Sequence, residues 1–354
     1  MIPVCSPTIK GNEKKYVNDC IDSTWIGSGG KYLKRFEEEF AKFCGVKYAS
    51  GCTSGTSALH LALLAARIKE GDEVLVPDFT MISTAAAVEY VGAKPVFVDA
   101  HAKTWNINPE KLADHITPKT KAIIVVHAFG VPCNMEMIRD IASVYNLIII
   151  EDAAEAHGAT FKGRPVGSLG DIACFSFYGN KLITTGEGGM VVTNNKDFID
   201  RVNYLKNQAF SADRFKHQDI GYNYRMTNIQ AAIGLAQLER IDDLIDDRER
   251  VYNYYKKHLS GVASFQYKIS GSVVWMSAML MDNKDEVMKH LANNGIQTRS
   301  LFYPMHMQPC LENTYRKNSV AYELFKHGLY LPSGGELTEE ELAFIVEKVK
   351  EVAK

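Results

Sequence analysis

The chain has 354 residues, 46% hydrophobic and 23% charged, with a formal net charge of −2, a balance that gives no electrostatic basis for binding nucleic acid or an anionic membrane. No apolar stretch approaches the ~20 residues of a membrane span, and the opening Met1-Ile-Pro-Val-Cys-Ser-Pro lacks the basic region and apolar core of a secretion signal. Seven cysteines without a C-x-x-C pair and ten histidines without an H-x-x-x-H pair argue against a disulfide framework or a metal site, and for a reducing cytoplasm.

A chain of this length accommodates about two domains. In its first two-thirds, continuous runs rich in Val and Ile recur at residues 74–77, 95–99, 122–127, 147–152, 173–177 and 189–193. Without polar alternation, such runs fit strands buried on both faces, as in a parallel sheet. Segments 56–68, 80–91, 134–145 and 196–206 show helical periodicity, so strands and helices alternate as in an α/β layered sheet. The polar stretch 209–218 is expected to be a mobile loop. A long helical pattern over 227–259 then leads out of a large domain, residues 1–240, into a smaller α+β domain, residues 241–354. There a strand is expected over 273–281, a helix over 285–293, and a last helix opening on the capping-box spacing Thr338 to Glu341.

Three motifs stand at ends of these elements. Thr53-Ser-Gly-Thr-Ser57 precedes an apolar helix, where hydroxyls and free backbone N–H groups favour a phosphate. Glu151-Asp152-Ala-Ala-Glu155-Ala-His157 closes one buried run, placing Asp152 at the carboxyl end of a strand. Ser176-Phe-Tyr-Gly-Asn-Lys181 follows another, and Gly186-Glu-Gly-Gly189 comes next. Each alone has an ordinary structural explanation: a helix N-cap, a strand-end aspartate, a surface lysine beside a tight turn. Together they supply an amine for an aldehyde carbon, a carboxylate for a protonated pyridine nitrogen and donors for a phosphate. That is the outline of a pyridoxal-phosphate enzyme. Gly27-Ser-Gly-Gly30 follows no buried strand and is a weak dinucleotide fingerprint.

Over nearly its full length the chain resembles the DegT/StrS-type nucleotide-sugar aminotransferases. The likeness rests on Ser54-Gly-Thr-Ser-Ala-Leu59, Glu151-Asp-Ala-Ala-Glu-Ala-His-Gly158, Phe175-Ser-Phe-Tyr-Gly-Asn-Lys181, Thr185-Gly-Glu-Gly-Gly189 and Gly221-Tyr-Asn-Tyr-Arg-Met226. Within that family it is nearest to the GDP-perosamine synthase branch, through Ile2-Pro-Val and Asn223-Tyr-Arg-Met-Thr-Asn228. The resemblance implies fold type I, with a mostly parallel central sheet in a large domain and a smaller C-terminal α+β domain. It implies that Lys181 bonds the cofactor aldehyde and that Asp152 pairs with the ring nitrogen. Gly55, Thr56 and Ser176 would bind the phosphate, Phe79 would stack on the ring, and Asn223 would reach the phosphate of a neighbouring subunit in a homodimer. Position 155 is commonly glutamine and contacts the phenolic oxygen; here Glu155 stands in its place, and two anions there would repel unless one is protonated. Trp25, Ser28, Tyr303 and His306 are candidate contacts for the sugar nucleotide.

The reaction so implied moves an amino group from glutamate to C4 of a nucleotide-linked 4-keto-6-deoxyhexose, GDP-4-keto-6-deoxymannose first, for polysaccharide biosynthesis. Alternatives are dTDP-4-keto-6-deoxyglucose, a C3-keto sugar or cyclitol, and a non-catalytic cofactor-binding regulator. A sugar dehydratase is disfavoured because those relatives replace the lysine with histidine, and Lys181 is present.

Overall fold

A computed structural model describes residues 1–213, 215–311 and 319–353. Two helices, α1 (Glu13–Asp22) and α2 (Lys31–Phe43), precede β1 (Tyr48–Cys52), α3 (Gly55–Ala65), β2 (Glu73–Pro77), α4 (Ile82–Tyr90) and β3 (Lys94–Val98). The chain continues through β4 (Thr120–Val126), α5 (Met135–Tyr145) and β5 (Ile148–Asp152), then a small hairpin of β6 (Thr160–Phe161) and β7 (Arg164–Pro165). β8 (Ile172–Ser176), β9 (Gly189–Thr193) and α6 (Lys196–Lys206) complete the first sheet and its cover.

That sheet has seven strands in the order β1-β9-β8-β5-β4-β2-β3. β9 alone runs against the others, antiparallel to both β1 and β8. The continuous apolar runs are explained by what they meet. Leu75, Ile123, Val125, Ile149, Ala173 and Phe175 point into one core, while Val74, Val76, Ile124, Ile150 and Cys174 point into another. Successive side chains face opposite ways along a strand, so a sheet covered on both sides needs apolar residues at every position. α2 covers one face with a stripe of Tyr32, Phe36 and Phe40, four residues apart; the Phe36 ring meets Phe177 and the Phe40 ring meets Phe175. α3 covers the other and is apolar nearly all round, because it lies between the sheet, α4 and α6.

The helical pattern over 227–259 forms two helices, α7 (Asn228–Leu238) and α8 (Ile241–Leu259). The break falls at Glu239 and Arg240, where Arg240 leaves helical geometry with φ −125° and ψ 23°. α7 packs against α1 and α2, whereas α8 packs against α11 (Glu339–Lys350), so the two halves serve different cores. Beyond α8 come β10 (Ser264–Phe265), β11 (Ser277–Leu280), α9 (Lys284–Asn293), β12 (Arg299–Ser300), α10 (Val320–His327) and β13 (Gly328–Leu331). These strands form an antiparallel sheet in the order β10-β11-β13-β12. The expected capping box opens α11: Thr338 Oγ1 accepts from the Glu341 N–H and Glu341 accepts from the Thr338 N–H.

The first few residues join this second unit and not the first. Ile2 bridges Ile296, and the Ser333 N–H donates to the Val4 carbonyl at 2.8 Å. An aromatic cluster of Phe79, Trp105, Phe129, Trp275 and Phe302 closes the seam between the two sheets. Segment 209–218 carries turns and no helix or strand at its described positions; Arg214 lies outside the described residues.

Candidate active site

The carboxyl ends of β5 and β8 and the amino end of α3 meet at one cavity of about 330 Å³, lined among others by Ser54, Gly55, Thr56, Asp152, Glu155, Ser176 and Lys181. Asp152 and Ser176 are the last residues of their strands, which places them where open α/β sheets bind ligands. From the second sheet side come Trp275, Phe302 and Tyr330, and Met81 and Asn180 also stand on the wall.

Lys181 is nearly enclosed. Its Nζ lies 4.0 Å from Glu155 Oε1 and 3.8 Å from the centroid of the Trp275 ring. Burial pushes its pKa below the ordinary lysine value, with Glu155 and then Asp152 pulling the other way. Asp152 is equally buried, and its Oδ2 accepts from Thr84 Oγ1 at 2.8 Å while Oδ1 accepts from the Ala154 N–H at 3.2 Å. Burial raises its pKa despite those bonds. Glu155 Oε2 accepts from the Phe129 N–H at 2.8 Å, and burial pushes its carboxyl up to about 7, opposed first by Lys181. Phe129 adopts φ 55° and ψ 20°, a left-handed geometry a bulky residue rarely takes. Its N–H thereby meets the carboxylate.

The amino end of α3 leaves two backbone donors over. The Ser57 N–H is taken by Ser54 Oγ, and the Ala58 N–H by the Ser54 carbonyl. The N–H groups of Gly55 and Thr56, in the first turn, have no acceptor within the helix. Gly55 is there for clearance: a Cβ on it would stand 2.7 Å from Ser176 Cβ.

The neighbouring Glu151 turns to the opposite face of β5. It accepts from the N–H groups of Gly167, Leu169 and Gly170, and from His127 Nε2 at 3.0 Å. His127 Nδ1 accepts from the Cys133 N–H, so Nε2 carries the proton. Glu151 therefore ties a loop to the sheet and takes no part in the cavity.

Of the residues singled out in the sequence, Gly55, Thr56, Asp152, Glu155, Ser176 and Lys181 are brought together on the wall. Phe79 is not. It is fully buried, its ring enclosed by Trp105, Phe129 and Phe302, so it cannot stack on a cavity ligand; the wall residues from that stretch are Thr80, Met81 and Ser83. His306 is also buried, its Nδ1 2.6 Å from Asp78 Oδ2 and its N–H donating to Asp78 Oδ1, and its ring anchors a loop instead of facing the cavity. Tyr303 packs edge-on against Phe325. Trp25, Ser28 and Asn223 are exposed and outside this chain's cavity; Asn223 Oδ1 accepts from Arg225. Sequence reasoning missed Met81, Thr84, Asn180, Trp275, Phe302 and Tyr330.

The donor set fits pyridoxal phosphate. A glycine whose Cβ would collide, two spare N–H groups and the hydroxyls of Thr56 and Ser176 suit a phosphate. Asp152 is a buried carboxylate with only neutral hydrogen-bond donors, as a ring cation requires. Asn180 Oδ1 is buried at this wall with no hydrogen-bond partner among the described residues, a polar atom left for a ligand. Among the described residues no His/Cys/Asp/Glu cluster could hold a metal ion.

Residues 7–350 match the sequence profile of the DegT/DnrJ/EryC1/StrS aminotransferase family. The chain is 47% identical to the GDP-perosamine synthase of Escherichia coli O157:H7, over 99% of this chain and 98% of that protein. It is 45% identical to the GDP-perosamine synthase of Caulobacter vibrioides, with the same coverage. Among solved structures, S. venezuelae DesV superposes with a TM-score of 0.91 at 32% identity, covering 96% of this chain and 94% of that one. The PMP-form of the putative sugar aminotransferase Spr1654 from Streptococcus pneumoniae superposes with a TM-score of 0.92 at 27% identity, covering 99% and 97%. With a buried lysine between two carboxylates and a phosphate-ready helix end at its active cavity, the chain belongs to the DegT/DnrJ/EryC1/StrS family of pyridoxal-phosphate-dependent aminotransferases.

Proposed function

We propose that this chain transfers the amino group of glutamate to C4 of GDP-4-keto-6-deoxymannose, giving GDP-perosamine. The observation that carries the reading is the enclosure of Lys181 between Asp152 and Glu155 in a chain that matches GDP-perosamine synthases end to end. Bound pyridoxal phosphate supplies an electron-accepting ring that lets the carbon bearing an amine release a proton.

The chain's own residues do the rest. The N–H groups of Gly55 and Thr56 and the hydroxyls of Thr56 and Ser176 would hold the phosphate, aided by the dipole of α3. Asp152, fixed by Thr84 and Ala154, would keep the ring nitrogen protonated. Met81, on the cavity wall where Phe79 is not, would be the side chain from this stretch to pack on the cofactor. Burial pushes the Glu155 carboxyl up to about 7, so it would be able to donate to the phenolic oxygen where the family commonly has glutamine. Lys181 Nζ, with its pKa lowered by burial, would hold the cofactor aldehyde and would take and return the migrating proton. Trp275, Phe302 and Tyr330 exclude water from one side.

The active unit proposed is a cytoplasmic homodimer with shared sites. Asn223, Trp25 and Ser28 are exposed on this chain and lie outside its own cavity, which supports a role across an interface. Among the described residues no helix is long and apolar enough to cross a membrane. Mixing Asn223→Ala with Lys181→Ala subunits tests the sharing: intact sites, and hence activity, should reappear in the mixed dimer. No recovery despite proven subunit exchange contradicts it. The substrate is tested by incubation with glutamate and a panel of GDP- and dTDP-linked 4-keto sugars. Amination of the GDP sugar is expected, and amination of the dTDP sugar alone overturns the assignment.

A further inference from the structure

The peptide carbonyl immediately before Lys181 is a meeting point for three distant segments. Trp275 Nε1 donates to the Asn180 carbonyl at 3.0 Å, and Arg248 Nη2 reaches the same oxygen at 3.5 Å. Cys5, on the N-terminal arm, accepts from Arg248 Nη2 at 3.1 Å. Arg248 Nη1 donates to the Ser333 carbonyl at 2.5 Å. Ser333 in turn accepts from the Ser277 N–H through Oγ and donates its own N–H to Val4.

Arg248 is buried in α8, yet it forms no ion pair with a carboxylate among the described residues; its partners are two carbonyls and a thiol. A guanidinium removed from water without an anion is costly and is seldom kept for packing alone. Here its planar fork spans the second unit at Ser333 and the lysine loop at Asn180, a geometry a lysine cannot reproduce. The same node holds Trp275, whose ring faces Lys181 Nζ at 3.8 Å.

We infer that Arg248 is a positioning residue for Lys181: through the Asn180 carbonyl and Trp275 it fixes the lysine's reach and places an uncompensated positive charge behind it. The inference rests on Lys181 being the cofactor lysine. The groups that face Lys181 include the carboxyls of Glu155 and Asp152, the Trp275 ring, and the buried neutral His157. Arg248, a cation with no carboxylate ion-pair partner among the described residues, reaches the Asn180 peptide from α8, its Nη2 3.5 Å from the carbonyl oxygen.

The test uses the holoenzyme and reads the pH midpoint of its visible absorption band beside kcat, KM and the thermal midpoint. In Arg248→Gln the lost positive charge should raise the absorption midpoint by about one pH unit. In Arg248→Lys the charge stays, so the midpoint should hold, while the lost fork lowers kcat at least ~10-fold with KM nearly unchanged. A lowered thermal midpoint with the wild-type absorption midpoint and kcat in both variants would overturn the inference and leave Arg248 a structural brace. If Arg248→Gln fails to fold, the kcat and KM of Arg248→Lys decide alone. A wild-type protein that shows no visible band with the cofactor overturns the assignment of Lys181 first, and this inference with it.

Discussion

Replacing Glu155 with glutamine should stabilise the cofactor-free protein, and chiefly on the alkaline side. The carboxyl is buried, its Oε2 accepts from the Phe129 N–H, and its Oε1 stands 4.0 Å from Lys181 Nζ. Burial raises its pKa from an ordinary 4.5 to about 7. The folded state therefore binds this proton more tightly than the unfolded chain does. Below the unfolded value both states are protonated and the group costs nothing. Between the two values the unfolded carboxylate ionises first, so stability falls as pH rises, and above about 7 the full cost persists. At about 1.4 kcal/mol per unit, the shift corresponds to roughly 3 kcal/mol. Glutamine keeps an acceptor for Phe129 and never ionises. Lys181 offsets part of the gain, because it loses its nearest anion. In urea unfolding of the two proteins, the variant's advantage should grow by up to about 3 kcal/mol between about pH 5 and about pH 8. An advantage that does not change with pH, or that shrinks as pH rises, refutes the account of Glu155.

Three further substitutions probe the rest of the site. Lys181→Ala should lose the visible absorption of the bound cofactor and all turnover while keeping the fold, checked by spectroscopy and thermal denaturation; a variant with wild-type turnover contradicts the assignment. Asp152→Asn should retain cofactor but lose at least ~10²-fold in rate, since an amide cannot keep the ring nitrogen charged. Gly55→Ala should weaken cofactor binding at least about tenfold, as its Cβ drives the α3 end away from Ser176 and lengthens charge-assisted bonds to the phosphate; equilibrium dialysis reads the change.

Most of the first sheet was legible because burial on both faces forces unbroken apolar runs, and the strands β2, β3, β4, β5, β8 and the antiparallel β9 stand within a residue or two of those runs. β1 was not legible. Tyr48-Ala-Ser-Gly-Cys52 has small residues where α2 and α3 press on it, and no Val or Ile to mark a strand. The long helix was read as one because neither Gly nor Pro marks Glu239 and Arg240; the break arises from a change of packing partner, which periodicity does not record.

Within the site, Asp152, Glu155, Ser176 and Lys181 were readable because strand ends and the turns that follow them bring them together locally. Phe79 and Met81 are two residues apart, and the sequence alone does not say which one the chain turns inward after β2. The aromatic seam claims Phe79. Trp275 and Tyr330 reach the cavity from the other sheet, a contact set by tertiary folding with no local motif. Glu151 shows the reverse case: a motif residue beside Asp152 whose carboxylate is wholly occupied by three backbone N–H groups and His127.

The central claim is tested most directly by following isotope-labelled amino nitrogen from glutamate, with the holoenzyme and GDP-4-keto-6-deoxymannose, and locating it in the product by nuclear magnetic resonance. The account predicts label bonded to C4 of a GDP-linked amino sugar, with 2-oxoglutarate formed in equal amount. Label at C3, or an unchanged keto sugar in the presence of bound cofactor and glutamate, contradicts it.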